Sequence, residues 1–215
     1  MLIAFDLEGT LIDAELFPEL GRRLGYGPAL AELTELAMNG LLDHEEAVNL
    51  RTRIIEGAPI DLVSEVSDSL PRTPGVATTI EEVKKMGLTP AIITSGFDIL
   101  VNRVARQLRI EHIYANSFDI VDGRVAGVRR PIVTAEAKAV HLMVLADRLG
   151  VSLDGCVAVG DGANDLPMIC AAGLGIAFNA KPIVIRAADV SVEGDLRLIL
   201  PHVIKFMRLR AGESA

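Results

Sequence analysis

Three short apolar runs each break off into a polar cluster, and this pattern restricts the fold more than any other feature. Leu2 to Phe5 leads into Asp6-Leu-Glu8-Gly-Thr10. Thr89-Pro-Ala-Ile-Ile-Thr94 leads into Ser95-Gly96. Gly155-Cys-Val-Ala-Val-Gly160 leads into Asp161-Gly-Ala-Asn164-Asp165. Short apolar runs bounded by turn signals read as buried strands. Leu174 to Phe178 reads as another, with a further strand at Asp189 to Val192. Helical patterns lie between them, at Val76 to Met86, Phe97 to Leu108, Thr134 to Leu149, Leu166 to Ala172 and Asp195 to Leu209. Apolar strands alternating with helices predict an α/β fold, a doubly wound parallel sheet covered on both faces. Phe118 to Gly127 reads as a hairpin turning at Asp122-Gly123, and His112 to Ala115 as short and strand-like.

One long stretch breaks the alternation. From Pro18 to Pro71 only helical spacing is visible, including Leu30, Leu33, Leu36 and Ala37, then an Asn39-Gly40 break. Asp43 with Glu46 three residues on predicts a capped helix start, and Asp61 to Leu70 reads as the last of these helices. The expected organisation is a core made of residues 1–15 and 72–215, with a helical-bundle cap, residues 16–71, inserted after the first strand. Its hinges fall near Leu11 to Asp13 and Pro71 to Pro74.

Composition excludes some functions. A net charge of −8 over 215 residues argues against a nucleic-acid surface. No apolar run is long enough to span a bilayer, and no basic leader precedes the first strand, so no membrane role is expected. Cys156 and Cys170 lack metal-type spacing and read as reduced core residues of a cytoplasmic protein, monomeric or homodimeric. Aromatics are 4% with no Trp, so the core must be aliphatic.

Parallel strands end on one edge of a sheet, where ligands bind. That edge would collect Asp6, Glu8, Thr94 or Ser95, Asp161, Asn164 and Asp165, with Lys138 reaching it from the start of its helix. Carboxylates are costly to bury unpaired. Oxygen ligands without His or Cys suit Mg²⁺, and a hydroxyl and an ammonium beside it suit a phosphoryl group. One carboxylate can then act as nucleophile and become an aspartyl-phosphate. Singly, each residue has a plainer reading. Asp6 would cap a turn, Asn164 would cap the following helix, and Lys138 would sit in solvent.

Asp6-Leu-Glu-Gly-Thr10, Ile92-Ile-Thr-Ser-Gly96, Lys138 and Gly160-Asp-Gly-Ala-Asn-Asp165 together resemble the four motifs of the haloacid dehalogenase-like phosphatases. The helical insertion, Ser95-Gly-Phe-Asp98 and Ile176-Ala-Phe-Asn-Ala-Lys-Pro182 are most similar to the phosphoserine phosphatase group. The resemblance implies that Asp6 attacks phosphorus. Mg²⁺ would be held by Asp6, the Glu8 carbonyl and Asp161, with Asp165 behind or beside them. Thr94, Ser95, Lys138 and Asn164 would hold the phosphoryl group, and Glu8 would be the general acid and base. Glu15 would read the substrate amino group and Arg51 its carboxylate, with Arg53 the alternative register. The sequence departs from the family at Glu8, where Asp is commoner, at Gly9, where Ser is usual, and at His44, where an apolar residue is usual. The four histidines, His44 included, read as surface or structural. Glu8 leaves open phosphotransfer from phosphoserine to an alcohol such as homoserine. A non-catalytic phospholigand-binding protein is the reading from another class.

Overall fold

The computed structural model describes residues 1–212. In chain order, strand β1 (Leu2–Phe5) is followed by the inserted helices α1 (Leu16–Leu24), α2 (Gly27–Met38), α3 (His44–Ile54) and α4 (Ile60–Ser69). Then come α5 (Val76–Lys85), β2 (Thr89–Phe97), α6 (Asp98–Leu108), β3 (His112–Asn116) and a hairpin of β4 (Phe118–Val121) and β5 (Arg124–Val128). The chain closes with α7 (Ala135–Arg148), β6 (Cys156–Gly160), α8 (Leu166–Ala171), β7 (Leu174–Phe178), α9 (Pro182–Ile185), β8 (Val190–Val192) and α10 (Leu200–Arg210).

The main sheet has six strands in the order β3-β2-β1-β6-β7-β8, every neighbouring pair parallel. This is the expected doubly wound sheet. Successive strand side chains point to opposite faces, so each face builds its own core. Ile3, Phe5, Val157, Val159, Ile176 and Phe178 pack with residues of α1, α5, α6 and α10. Leu2, Ala4, Ala91, Ala158 and Ala177 face Leu142 and Leu145 of α7 and Met168 of α8. That second face is alanine-rich, which lets α7 lie close to the strands and deliver its first turn to the strand ends.

Several expectations shift. The second strand runs on through Thr94-Ser95-Gly96 to Phe97, and its register against β3 slips between Ile93 and Phe97. Thr94 and Ser95 therefore sit on an irregular strand end, not in the turn before a helix. α6 starts at Asp98, because Phe97 is extended and stacks on Phe118. The short α9 lacked a periodic signal. Cys156 is buried as expected, but Cys170 is exposed, because it falls on the outer side of α8. Of the expected frayed tail, Arg210 to Ala215, residues 213–215 lie outside the described residues, and Arg210 is the last residue of α10.

Backbone hydrogen bonds tie the insertion to the rest in two places. Its two connecting segments run side by side, with Asp13 N–H donating to Pro71 O at 3.0 Å and Thr73 N–H to Leu11 O at 3.1 Å. The α3–α4 turn is sewn to the β4–β5 hairpin. Gly57 N–H donates to Val125 O at 2.8 Å, Val125 N–H to Ala58 O at 3.0 Å, and Ile60 N–H to Gly123 O at 2.9 Å. The opposite edge, α2 and the turn before α3, rests on the core mainly through side chains. One of these contacts is the exposed Lys181–Glu35 pair at 2.8 Å.

Candidate active site

Strand order reverses between β1 and β6, which are direct neighbours. A crevice opens at such a switch point, beyond the carboxyl ends of the strands. Asp6 follows β1 and Asp161 follows β6, so the sheet itself brings these two carboxylates together. After β1 the chain turns sharply, with Leu7 O accepting from Leu11 N–H at 2.7 Å and Ile12 N–H at 2.8 Å. Gly9 has φ +74°, and a Cβ there would overlap the Asp161 carboxylate. A side chain at position 9 would therefore require the Asp161 carboxylate to shift from where it stands here.

Lys138 arrives from the first turns of α7, whose start is capped by Thr134 accepting from Ala137 N–H. Its side chain is 0% exposed, with Nζ 2.9 Å from Asp6 Oδ1 and 2.5 Å from Asp165 Oδ1. Burial pulls its pKa down, but Asp165 and Asp6 outweigh that and hold it above the ordinary lysine value. A buried ammonium survives only when paired and hydrogen-bonded, so Lys138 is not a solvated helix lysine. Asp165 is saturated. Oδ1 takes Lys138, and Oδ2 accepts from Asp161 N–H at 3.0 Å and Gly162 N–H at 3.1 Å. Burial, with Asp6 adding to it, pushes its carboxyl up to about 6.

Carboxylate oxygens of Asp6, Asp161 and Asp165 lie within 4.8 Å of one another. Asp161 Oδ1 is buried and accepts no hydrogen bond. Burial raises the Asp161 pKa well above the usual range, and Asp165 and Asp6 push the same way. Lys138 alone does not neutralise three converging carboxylates. An oxygen-liganded divalent cation fits both the donor set and the missing positive charge. The Glu8 carboxylate is not in this cluster, so from Glu8 only the backbone carbonyl remains as a ligand candidate.

Glu8 instead faces the insertion. Its Oε1 accepts from Leu16 N–H, the first amide of α1, at 2.6 Å. Its Oε2 sits over Gly96, where a Cβ would collide with it. The extra methylene of Glu, relative to Asp, is thus accommodated by a helix N-terminus on one side and a missing side chain on the other. Burial raises Glu8 to about 7, against the lowering effect of the Leu16 amide.

One cavity joins Asp6, Glu8, Glu15, Thr94, Ser95 and Arg51 to Asn164. Arg51 donates to Ala47 O at 3.2 Å and Thr34 Oγ1 at 3.2 Å, and its guanidinium lies 4.8 Å from the Phe17 ring centre. Arg51 and Glu15 face the same space, and no ion pair joins them. Burial raises Glu15 well above the usual range, with Glu8 adding to the rise. Arg53 does not line the cavity, whereas Arg51 does. Thr94 Oγ1 accepts from Gly96 N–H at 3.0 Å, which leaves its hydroxyl hydrogen to donate elsewhere. Ser95 Oγ and Asn164 Oδ1 are buried without partners.

Sequence reasoning missed Phe17, Met38, Gly96 and His44 as cavity walls. The reading of His44 as surface or structural is corrected, because the turn after Met38 folds it under the insertion. Its departure from the usual apolar type was the signal that could have found it. The cavity offers about 30 Å³ to the centre of a water-sized sphere. That holds a couple of waters, not a phosphomonoester, so this is a closed form.

A family model for haloacid dehalogenase-like hydrolases matches residues 1–173. The chain belongs to that family. It is 37% identical over 204 residues to phosphoserine phosphatase of Methanocaldococcus jannaschii, covering 94% of this chain and 97% of that protein. It is 40% identical over 192 residues to phosphoserine phosphatase SerB2 of Mycobacterium tuberculosis, covering 89% of this chain. It spans only 47% of SerB2's length, and 60% of the Archaeoglobus fulgidus phosphoserine phosphatase. Among solved structures, a phospho-aspartyl intermediate analogue of phosphoserine phosphatase superposes with a TM-score of 0.91 at 36% identity, covering 94% of this chain and 97% of that one. A substrate-bound phosphoserine phosphatase complex also gives 0.91, at 35% identity, with the same coverage of both chains.

Proposed function

We propose that this chain is a Mg²⁺-dependent phosphomonoester hydrolase that acts on O-phospho-L-serine or a close relative through a phosphorylated Asp6. The observation that carries this reading is one cavity holding Lys138-paired Asp6 together with Glu15 and Arg51, which feel each other's field but share no direct ion pair. A phosphorylated amino acid supplies the missing partners, its ammonium for Glu15 and its carboxylate for the Arg51 fork. The similarity to phosphoserine phosphatases over nearly the whole chain supports the same reading.

Mg²⁺ would be held by Asp6, Asp161 and the Glu8 carbonyl, and would supply positive charge against the phosphoryl oxygens. Asp165 anchors the loop after β6 and fixes Lys138. Lys138 orients Asp6 and, with the Thr94 hydroxyl, donates to the phosphoryl group as charge shifts in the transition state. Asp6 then attacks phosphorus. Glu8, held near neutrality in pKa, protonates the departing serine oxygen and next takes a proton from the water that cleaves the acyl-phosphate. The insertion, residues 16–71, acts as a cap that opens to admit substrate and closes to exclude bulk water. Because the Glu8 carboxylate is anchored on α1, its placement depends on that closure.

Phosphate release across a panel of phosphorylated metabolites, with Mg²⁺ or with chelator, tests the proposal. Mg²⁺-dependent turnover highest with O-phospho-L-serine supports it, and no turnover with any member of the panel refutes it. Adding homoserine to the same assay separates hydrolysis from transfer, since transfer leaves less free phosphate than serine.

A further inference from the structure

His44 is the cavity residue with no role so far. It is the first residue of α3, capped by Asp43, and Arg51 lies two turns further along the same helix. Seven residues of helix rise about 10 Å, so the two residues sit two turns apart on one face of α3, and both line the cavity. Both nitrogens of the His44 ring are buried, and neither has a hydrogen-bond partner. Buried polar atoms in folded proteins almost always have partners. A pair of unpaired nitrogens on one cavity wall therefore calls for a bound group that supplies them.

The neighbours of His44 say which part of a ligand it meets. Besides the inner cavity, His44 lines a second pocket of about 230 Å³, together with Asn164, Ala163 and residues Thr134 to Glu136 at the start of α7. His44 and Asn164 are the residues common to both spaces, and so form the wall between them. The turn before His44 packs on the loop that carries Asp161. A Cβ on Gly162 would meet the Met38 side chain, and one on Gly40 would lie 3.2 Å from Ala163. His44 thus sits beside Asn164, on the side of the cavity where the turn after Met38 meets the loop that carries Asp161, while the Arg51 guanidinium lies over Phe17.

We propose that His44 is a specificity-determining residue that donates a ring N–H to the phosphoryl group of the bound substrate, beside Asn164, while its second nitrogen accepts from a water in the outer pocket. This deepens the proposed function and rests on it only for the identity of the anion. The ring is suited to the task. Burial, with the fields of Arg51 and Lys138, lowers its pKa to about 3, so in the unliganded cavity the ring is neutral, with one donor and one acceptor. An apolar residue at this position would shield the phosphoryl group, whereas His44 binds it and connects it to solvent.

The test is calorimetric binding to the Asp6→Asn protein in Mg²⁺, which cannot turn substrate over. The probes are inorganic phosphate, O-phospho-L-serine and L-serine. His44→Phe is expected to weaken phosphate and phosphoserine about ten- to hundredfold, the range for one hydrogen bond to a charged group, and to leave L-serine unchanged. His44→Gln, which keeps a donor, should recover most of the loss. Unchanged phosphate binding in His44→Phe would overturn the inference, as would equal weakening of L-serine or no recovery with Gln. If wild-type protein hydrolyses no phosphomonoester but the phosphate difference persists, the proposed function fails and the role of His44 stands.

Discussion

At the scale of single residues, charge balance dominates. Asp6, Asp161 and Asp165 are buried, and Glu8 and Glu15 half-buried, around the buried cations Lys138 and Arg51. Replacing Lys138 with Met should leave Asp6 and Asp165 unpaired and destabilise the protein by about 3–5 kcal/mol, which urea denaturation will show. Mg²⁺ should recover part of that loss. Glu8→Gln keeps the shape and the bond from Leu16 N–H but removes the proposed proton carrier. It should lower kcat by about 10²–10⁴ and abolish the limb of the pH–rate profile that titrates near the raised Glu8 value of about 7. Gly96→Ala pushes on Glu8 Oε2 and should shift the carboxylate enough to cost on the order of 100-fold in kcat, with little change in melting temperature. At this scale the sequence was legible where a residue ends an apolar strand. Asp6, Asp161 and Thr94 could be placed because strand ends have a known address in a parallel sheet. Gly96 and His44 could not, because their roles come from what the fold lays against them. Glu8 was visible as a departure, but its anchoring on the first amide of α1 is a contact across the insertion that no local pattern encodes.

At the scale of elements, the helical insertion is attached unequally. The α3–α4 turn shares backbone hydrogen bonds with the β4–β5 hairpin, while α2 meets the core through side chains and the Lys181–Glu35 pair. An exposed pair of this kind contributes about 0–1 kcal/mol, so that edge is the easier one to lift. Hydrogen exchange should show faster protection loss in α2 and residues 39–43 than in residues 57–60, with a phosphate analogue slowing only the former. Equal exchange at both edges would contradict an opening hinged at the hairpin. Helix boundaries in the insertion were readable to within a few residues from caps such as Asp43 and breaks such as Asn39-Gly40. Its seam with the hairpin was not, because it joins segments more than sixty residues apart through backbone atoms, which carry no side-chain signature. The extension of β2 to Phe97 was hidden for a related reason. Gly96 looks like a strand end, and it takes the stack of Phe97 on Phe118 and the tie of Asn116 to Ser95 O to hold the chain extended there.

For the whole molecule, the buried carboxyls link stability to pH and to metal. Glu8, Asp161 and Asp165 have folded pKa values above their ordinary ones. The folded state therefore holds protons that the unfolded chain releases, and for Glu8 and Asp165 this stabilisation is complete below about pH 4 and lost as pH rises through 6 to 7. Metal-free protein should accordingly melt lower at pH 8 than at pH 5 in this respect. Mg²⁺ at a hundred times its Kd adds about 2.7 kcal/mol, or about 5–10 °C in melting temperature for a chain of this size. The gain should be larger at pH 8, where Asp165 no longer holds a proton. A Mg²⁺ effect equal at both pH values would separate the metal from these groups. The central claim, that Asp6 carries the phosphoryl group, is tested most directly by acid-quenching the protein during turnover of O-phospho-L-serine in Mg²⁺ and mapping the acyl-phosphate by peptide mass spectrometry. The account predicts a phosphoryl group on Asp6 in the quenched wild-type protein and none in Asp6→Asn. Turnover with no phosphorylated Asp6, or phosphate found on Asp161 instead, would contradict it.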